Sequence, residues 1–536
     1  MTSSPSTPPA VRTNRMDPWH GLLVCMAVLA SAAWGTYLEW QQTAPGFPLD
    51  DTWIHLQFAR NVAEGHRFSF NPGVLSSGST APLWTLVLTV PLALGIDPLV
   101  AAKVLGVALV AVTALAAAAL TRRLSGSAHA GLLAGLAVAV TPRMGWAALS
   151  GMEVPLYTAL VTVAMLAYVR ALDDPRRDRS MWAVAAGLAG WARPETFVVA
   201  ALLSAAWLVS GGRDAVTRRL VPGWWRPLVV IALLIAGFVA FNEYTGGRPL
   251  PNTFYAKNYG MGAAVSLAEG RPLDALLDVA RYPVNLLGDA IRWQASHDAL
   301  LFGVALLGLL ALVGALGRPA PAGGLAVLAV LVLTPIAKGL VAPQPVMLVH
   351  DGRYVLHLLV LGLVVCACGF AALARLTRPW IVVVLAIAGL IQVGGATSSA
   401  MYTYASEVKN INDLQVRTAR WIAAHTAPDA RIATNDIGAI AFFSRRTILD
   451  TEGLVSPDAI WDKRMWRIDR FLERSKPDVV VIFPHWYPYL ARRLPMQEVT
   501  RFSAPVVIAG GHSLVVYRTP WTREGRLWLD GKAATR

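Results

Sequence analysis

The chain has 536 residues, 55% hydrophobic and only 15% charged, with a mean hydropathy of +0.49 and a formal net charge of +14. That apolar share exceeds the soluble globular range and reads as a polytopic α-helical membrane protein. The Lys and Arg residues sit in short linkers between apolar runs, so the basicity reports membrane orientation and argues against a nucleic-acid partner, while Cys25, Cys366 and Cys368 lie inside apolar segments, against a disulfide framework or thiolate metal site.

Residues 1–18 are rich in Ser, Thr and Pro with Arg12 and Arg15, and read as a disordered cytoplasmic tail. Trp19–Leu38 is the first span. Ala30-Ser31-Ala32 has the look of a signal-peptide cleavage site, but the apolar run continues to Leu38 and more spans follow, so the segment reads as retained. The next loop, residues 39–98, carries adjacent carboxylates at Asp50 and Asp51, then an amphipathic run and a Gly/Ser-rich turn. Ionisable groups beside a membrane span are costly and mark a functional site by default. Pro82–Ile96, about 15 residues, is short of the roughly 20 needed to cross. It is expected to lie along the outer surface, because only then do Arg122 and Arg123 fall on the cytoplasmic side.

Ten further spans follow on this reading: Leu99–Leu120, Ala130–Thr141, Val154–Tyr168, Trp182–Trp191, Phe197–Ser210, Leu228–Phe241, Leu300–Leu316, Leu325–Leu340, Tyr354–Leu373 and Ile381–Gly394. The total is about eleven transmembrane helices in a domain over 19–396. From 397 to 536 the composition changes to helix-like stretches (Glu407–His425, Asp458–Arg474) alternating with short β-branched runs: Arg431–Thr434, Thr447–Leu449, Val479–Phe483, Val506–Ala509 and Leu514–Tyr517. This predicts a C-terminal α/β domain on the extracytoplasmic side.

Topology gathers the polar clusters on that same side: Asp50-Asp51 with His55, Ser76–Thr80, Ser150–Glu153, Arg193-Pro194-Glu195, Pro251–Lys257 including Asn252 and Tyr255, and His350–Tyr354 including Arg353. The cytoplasmic loops hold neither a Walker loop nor a dinucleotide fingerprint. Carboxylates able to take a proton from a hydroxyl, beside Lys257, Arg193 and Arg353 able to hold a phosphate, are what glycosyl transfer from a lipid-linked phosphosugar needs.

At these residues the chain resembles the C superfamily of membrane glycosyltransferases (the GT-C fold), which use polyprenyl-phosphate sugars, and within it the branch of the terminal β-(1→2) arabinofuranosyltransferases. The resemblance runs through Asp50-Asp51, Ala59–His66, Phe70–Gly73, Ser79–Thr85, Ser150–Glu153, Arg193–Glu195, Pro251–Lys257, Gly352–Tyr354 and Asp436–Ile440. It departs at Leu75–Ser79, where the arabinofuranosyl relatives carry an acidic or Asn-containing stretch. The resemblance implies juxtamembrane helices after the first span, an acidic base in the first outer loop (Asp50, with Asp51 orienting the acceptor or holding a divalent cation), and donor-phosphate contacts from Lys257, Arg353 and Arg193. Substrate contacts fall to His55, Thr80, Glu153, Glu195, Asn252, Tyr255 and Tyr354. It implies inverting transfer of a sugar, either a hexose or a pentose such as arabinofuranose, to a glycan or lipid hydroxyl at the outer face of a bacterial inner membrane.

Plainer readings stand beside these. Asp51 is also placed to cap the helix Thr52–Glu64, Glu153 and Glu195 to face helix N-termini, and Lys257 and Arg353 to anchor at head groups. His55 and His350 lack the partners of a metal site. A flippase for a lipid-linked glycan is the rival function, with Lys338 as its candidate pathway charge. A non-catalytic assembly protein using the C-terminal domain for contacts is a third.

Overall fold

The computed structural model describes residues 17–173, 180–211, 220, 222–257, 263–281, 284, 308, 321–341, 352–505, 507 and 510–528. Residues 1–16 of the expected tail (1–18), the span Leu300–Leu316 apart from residue 308, His350, Asp351 and the Lys338 side chain lie outside the described residues.

Helix α1 (Pro18–Gln42) starts on Asp17, whose carboxylate accepts the Trp19 N–H at 3.0 Å. The next loop folds as α2 (Asp50–Ala63) and α3 (Pro82–Ala93). Then come α4 (Pro98–Ser125), α5 (Ala128–Val140), α6 (Pro142–Leu149), α7 (Val154–Asp173), α8 (Met181–Ala192), α9 (Phe197–Ala206), α10 (Arg226–Gly246), α11 (Asn252–Lys257), α12 (Pro321–Val341), α13 (Leu356–Leu376) and α14 (Pro379–Ile411).

Among the described residues six helices are long and apolar enough to cross a bilayer: α1, α4, α7, α10, α13, and α14 with its continuation to His425. The pair α5–α6, bent by 57°, makes a seventh if counted as one span. The chain is a multi-pass membrane protein. Where three more spans were expected, α12 has 21 residues, but Met181–Ala192 and Pro194–Val209 are shorter. At 1.5 Å per residue such helices reach only about 18–24 Å of a roughly 30 Å core. The same arithmetic gives α3 about 18 Å.

Helix α14 runs past residue 397 and continues through a π-helical turn (Asn412–Val416) into α15 (Arg417–His425). The composition change at 397 therefore marks where this helix loses its apolar character, and the chain does not break there.

The C-terminal sheet has five strands, β1 (Arg431–Thr434), β2 (Thr447–Asp450), β3 (Val479–Ile482), β4 (Gln497–Ser503) and β5 (Ser513–Arg518), in the order β2-β1-β3-β5-β4. The first three are parallel, and β5 is antiparallel to both β3 and β4. All of Val479–Ile482 is buried, as a central strand covered on both faces requires. The expected strand Val506–Ala509 lies mostly outside the described residues. The fourth strand, not expected from the sequence, is the polar stretch Gln497–Ser503, which pairs irregularly between Glu498 and Thr500. Helix α16 (Gly438–Ser444) follows β1. The helix expected over Asp458–Arg474 is broken into α17 (Ala459–Arg464) and α18 (Ile468–Ser475), with Trp466 left-handed at φ 53°.

Helix α2 lies between two cores. Trp53, Leu56 and Ala59 belong to the membrane cluster, and Ile54 and Phe58 to the cluster under the sheet with Ile432, Ile440 and Val481. Farther along the same loop, Asn71 completes the edge of β2: its Nδ2 donates to the Ile448 carbonyl and its Oδ1 accepts the Ile448 N–H, both at 2.8 Å. Replacing both bonds with a methyl group strands two backbone groups. Asn71→Ala is expected to cost about 1–3 kcal/mol in the stability of the C-terminal domain, read as faster amide exchange along β2. Unchanged exchange there would contradict the pairing.

Candidate active site

The turn that enters α2 is fixed before any catalytic group is placed. Glu39, fully buried at the end of α1, accepts from Lys103 Nζ of α4 at 2.6 and 2.7 Å, from the Tyr404 hydroxyl of α14 at 3.1 Å, and from the Gly46 N–H at 2.8 Å. A buried carboxylate with a full set of donors ties three helices to this loop. The Thr52 hydroxyl then donates to the Ser150 carbonyl at 2.8 Å. Gly151, at φ 68°, lets Phe47 and Thr52 press where a Cβ would stand, at 2.5 and 2.6 Å.

The two adjacent aspartates face different partners. Asp50 is 9% exposed; its Oδ2 accepts the Gly438 N–H at 2.7 Å and its Oδ1 the Ala439 N–H at 2.8 Å, the first amides of α16. A Cβ on Gly438 would collide with the Asp50 carbonyl, so only glycine admits this approach. Asp51 is 38% exposed at its side chain and pairs through Oδ2 with Arg353 Nη2 at 2.9 Å.

Around Asp51 the structure gathers most of the residues expected from the sequence. Arg353, 7% exposed just before α13, donates through Nη2 to the Tyr354 hydroxyl at 3.2 Å, while its Nε and Nη1 are buried without a partner among the described residues. Its carbonyl accepts the Tyr157 hydroxyl at 2.5 Å. Arg193, after α8, lies 4.4 Å over the Tyr354 ring and binds Glu153 Oε1 through Nη1 and Glu195 through Nη2 at 3.2 Å. The other oxygen of Glu153 takes His55 Nε2 at 3.1 Å. Lys257, at the end of α11, acts electrostatically on both Asp51 and Tyr354. Glu153 and Glu195 thus have side-chain partners in Arg193 and are not simply helix-terminus charges.

Three expected residues stand apart from this corner. Tyr255 has its ring under Arg248 at 4.9 Å and its carbonyl held by Arg464 of α17 at 2.7 Å. The Asn252 N–H donates to the Ser77 carbonyl at 3.2 Å, and its Oδ1 is buried without a partner. Thr80 is half-buried beside the Ser79–Thr85 hydroxyl pair, at 3.0 Å, with no contact to the Asp51 corner among the described residues. Sequence reading also missed parts of the C-terminal domain's contribution. Asp436 accepts from Gln415 at 2.7 Å and lies close enough to Asp50 and Asp51 to feel their charge. Glu452 accepts from Tyr487 at 2.5 Å and pairs with Lys463. These two acids follow β1 and β2, at the carboxyl ends of parallel strands where open α/β sheets bind ligands. The Asp-Ile-Gly-Ala-Ile segment carried that signal, though not its meaning.

Burial pushes the Asp50 carboxyl up to about 6, against the lowering effect of the Ala439 and Gly438 amides and with a small push from Asp51. Burial also raises Asp51, but Arg353, Lys257 and His55 overcome it and hold that carboxyl well below its ordinary value. Glu153 is lowered to about 2, burial again being outweighed by Arg193 and His55. Tyr354 falls to about 8, because Arg353, Lys257 and Arg193 outweigh its burial. Asp436 is raised well above its usual value by burial and then by Asp50, and Asp450 is raised by burial to about 7.

A divalent ion needs several free oxygens. Both Asp50 oxygens are taken by amides and one Asp51 oxygen by Arg353. Among the described residues no three His, Cys, Asp or Glu side chains are grouped to hold a metal ion. These side chains do not fit a metal.

Against known proteins, residues 409–523 match a family described as Domain of unknown function (DUF8728). No curated protein matches the chain in sequence. Among solved structures, the oligosaccharyltransferase AglB of Archaeoglobus fulgidus, in complex with an inhibitory peptide and a dolichol-phosphate, is similar at 12% identity, with a TM-score of 0.59 over 94% of this chain and 77% of its own. ArnT of Cupriavidus metallidurans, bound to undecaprenyl phosphate, is similar at 15% identity and a TM-score of 0.54, over 93% and 98%. The fold is the GT-C fold of membrane glycosyltransferases.

The raised carboxyls set a pH dependence. Asp50, Asp436 and Asp450 hold protons more tightly folded than at the unfolded value of roughly 3.9, so folding takes up protons and stability rises as pH falls through their native range. Asp51 and Glu153 titrate only in stronger acid and do not oppose this window. The detergent-solubilised protein is expected to melt at higher temperature at pH 5.5 than at pH 7.5, with a smaller difference in Asp436→Asn. A Tm that falls on acidification would contradict these environments.

Proposed function

We propose that the chain is an inverting glycosyltransferase that moves a sugar from a polyprenyl-phosphate carrier to an acceptor hydroxyl, at the outer face of a bacterial inner membrane. The observation that carries this is Arg353. Its guanidinium is buried beside an ionised carboxylate, with two N–H donors, Nε and Nη1, that no group among the described residues satisfies. Orphaned buried donors are expensive unless a ligand takes them, and a phosphate oxygen is the acceptor a guanidinium matches best. Lys257 adds a second cation to the same corner. The lipid phosphates in the AglB and ArnT structures support a donor of that class here.

The acceptor oxygen attacks the anomeric carbon and forms the new C–O bond. The bond from that carbon to the phosphate oxygen breaks, and its electron pair leaves on the phosphate toward Arg353 and Lys257. The hydroxyl proton goes to a carboxylate. Asp51 takes that role in our reading, being part exposed beside the phosphate cations, and Asp50 is a positioning residue whose oxygens are committed to α16. The membrane domain, up to about residue 396, binds the lipid; the C-terminal domain, on the outer face, presents Asp436 and Glu452 to a glycan or lipid acceptor. Arabinofuranose is the finer reading of the sugar, supported by the motif resemblance.

Transfer of radiolabelled sugar from a panel of polyprenyl-phosphate donors, in membranes, tests this. Asp51→Asn is expected to lose about 10²–10⁴-fold in transfer while the Gly438 and Ala439 amides stay protected from exchange. Asp50→Asn is expected to lose that protection. Arg353→Ala is expected to lower kcat/KM for the donor by about 10²–10³-fold. Full transfer by Asp51→Asn would remove it as base, and absence of transfer by the wild type from every donor would sink the function.

A further inference from the structure

The Asp51 corner contains a second proton-accepting device that the carboxylate pair does not account for. His55 lies one turn after Asp51 on α2, an i,i+4 spacing that sets both side chains on one face. It is 3% exposed, and among the described residues its ring is held from one side only: Nε2 meets Glu153 Oε2 at 3.1 Å, and the opposite nitrogen, Nδ1, is buried with no hydrogen-bond partner there. Glu153 is itself anchored by Arg193 through its other oxygen.

This arrangement decides the tautomer. An ionised carboxylate can only accept, so the proton on His55 must sit on Nε2, pointing at Glu153. In the neutral ring, Nδ1 is then a bare lone pair. A histidine whose far nitrogen is bound to a carboxylate is the arrangement that orients an imidazole as a base and stabilises the imidazolium that forms. A merely structural histidine would have both nitrogens satisfied, because an orphaned buried polar atom costs about 1–3 kcal/mol. Asp51, meanwhile, sits among Arg353 and Lys257, and a carboxylate flanked by two cations holds a proton poorly. It can align the acceptor hydroxyl and begin the transfer, but the proton needs a further destination.

Resting on the glycosyl-transfer reading above, we infer that His55 Nδ1 is the terminal proton acceptor of the reaction, with Asp51 passing it the acceptor's hydroxyl proton and Glu153 and Arg193 positioning its ring. The balance is closed: the acceptor O–H breaks, its oxygen bonds the anomeric carbon, the phosphate leaves with the electron pair of the broken bond, and the proton ends on Nδ1 as an imidazolium facing Glu153. The proton returns to water as product leaves. The charged and titratable groups facing this corner are Asp51 on the same helix, Glu153 before α7, Arg193 after α8, Lys257 on α11, and Arg353 and Tyr354 before α13.

The test is single-turnover transfer in proteoliposomes with the polyprenyl-phosphate sugar that the wild type uses best. His55→Gln keeps an amide N–H for Glu153 and lacks the basic nitrogen. It is expected to slow the chemical step by about 10²–10⁴-fold with the donor KM within about twofold. His55→Ala is expected to regain part of its rate in added imidazole, which fills the vacated ring site; a packing role would not be rescued. A wild-type enzyme that transfers sugar while His55→Gln keeps its rate within threefold overturns this inference and leaves the glycosyltransferase standing. A wild type that transfers nothing overturns both.

Discussion

One carboxylate joins the two halves of this molecule. Asp50 belongs to the first loop of the membrane domain, yet both its oxygens are spent on the first amides of α16, 388 and 389 residues further along the chain. The contact works only because position 438 is glycine and because Thr52, Gly151 and the Glu39 network hold the loop at the right height. Helix α2 is consequently buried on both faces, one against each core. Everything the site offers chemically hangs on a helix that neither half would hold alone.

Charge compensation explains the rest of the corner. Five ionisable side chains, Asp51, Arg353, Glu153, Arg193 and His55, are brought together with little water, and an unpaired charge there would cost several kcal/mol. The pairs are arranged so that each acid meets a cation, Asp51 with Arg353 and Glu153 with Arg193, while His55 donates to the second oxygen of Glu153. What is left over is informative. Among the described residues two N–H groups of Arg353 and one nitrogen of His55 remain unsatisfied, and on the function proposed above they serve as a donor set for an anion and an acceptor for a proton.

Much of this was legible in the sequence for definite reasons. Adjacent carboxylates after an apolar run stand out, because lipid makes charge conspicuous, and Arg353, Arg193, Glu153, His55 and Lys257 were found through motifs that the topology puts on one side. The division of labour between Asp50 and Asp51 was not legible, since a one-residue step on a helix turns a side chain by 100°, and the partner of Asp50 is remote in the chain. Tyr255 and Thr80 share motifs with site residues but turn elsewhere. Strand β4 was missed because Gln497–Ser503 lies at an edge, where exposure erases the alternation that marks a half-buried strand. The spans were harder to count than to find: helices such as Met181–Ala192 are apolar enough but too short, and length alone does not say how they sit in lipid.

The sheet's two edges are closed by different means. At β2 the side chain of Asn71 occupies the hydrogen-bonding positions of Ile448. At β4 the pairing is irregular at Glu498, and Glu498 and Arg501 stand exposed as a charged pair. A protein confined to a membrane meets its own copies at a local concentration that a dissolved one never reaches, and two bare strand edges in one plane would zip together. With one edge filled from within and the other roughened and charged, the domain can be crowded in its plane without polymerising.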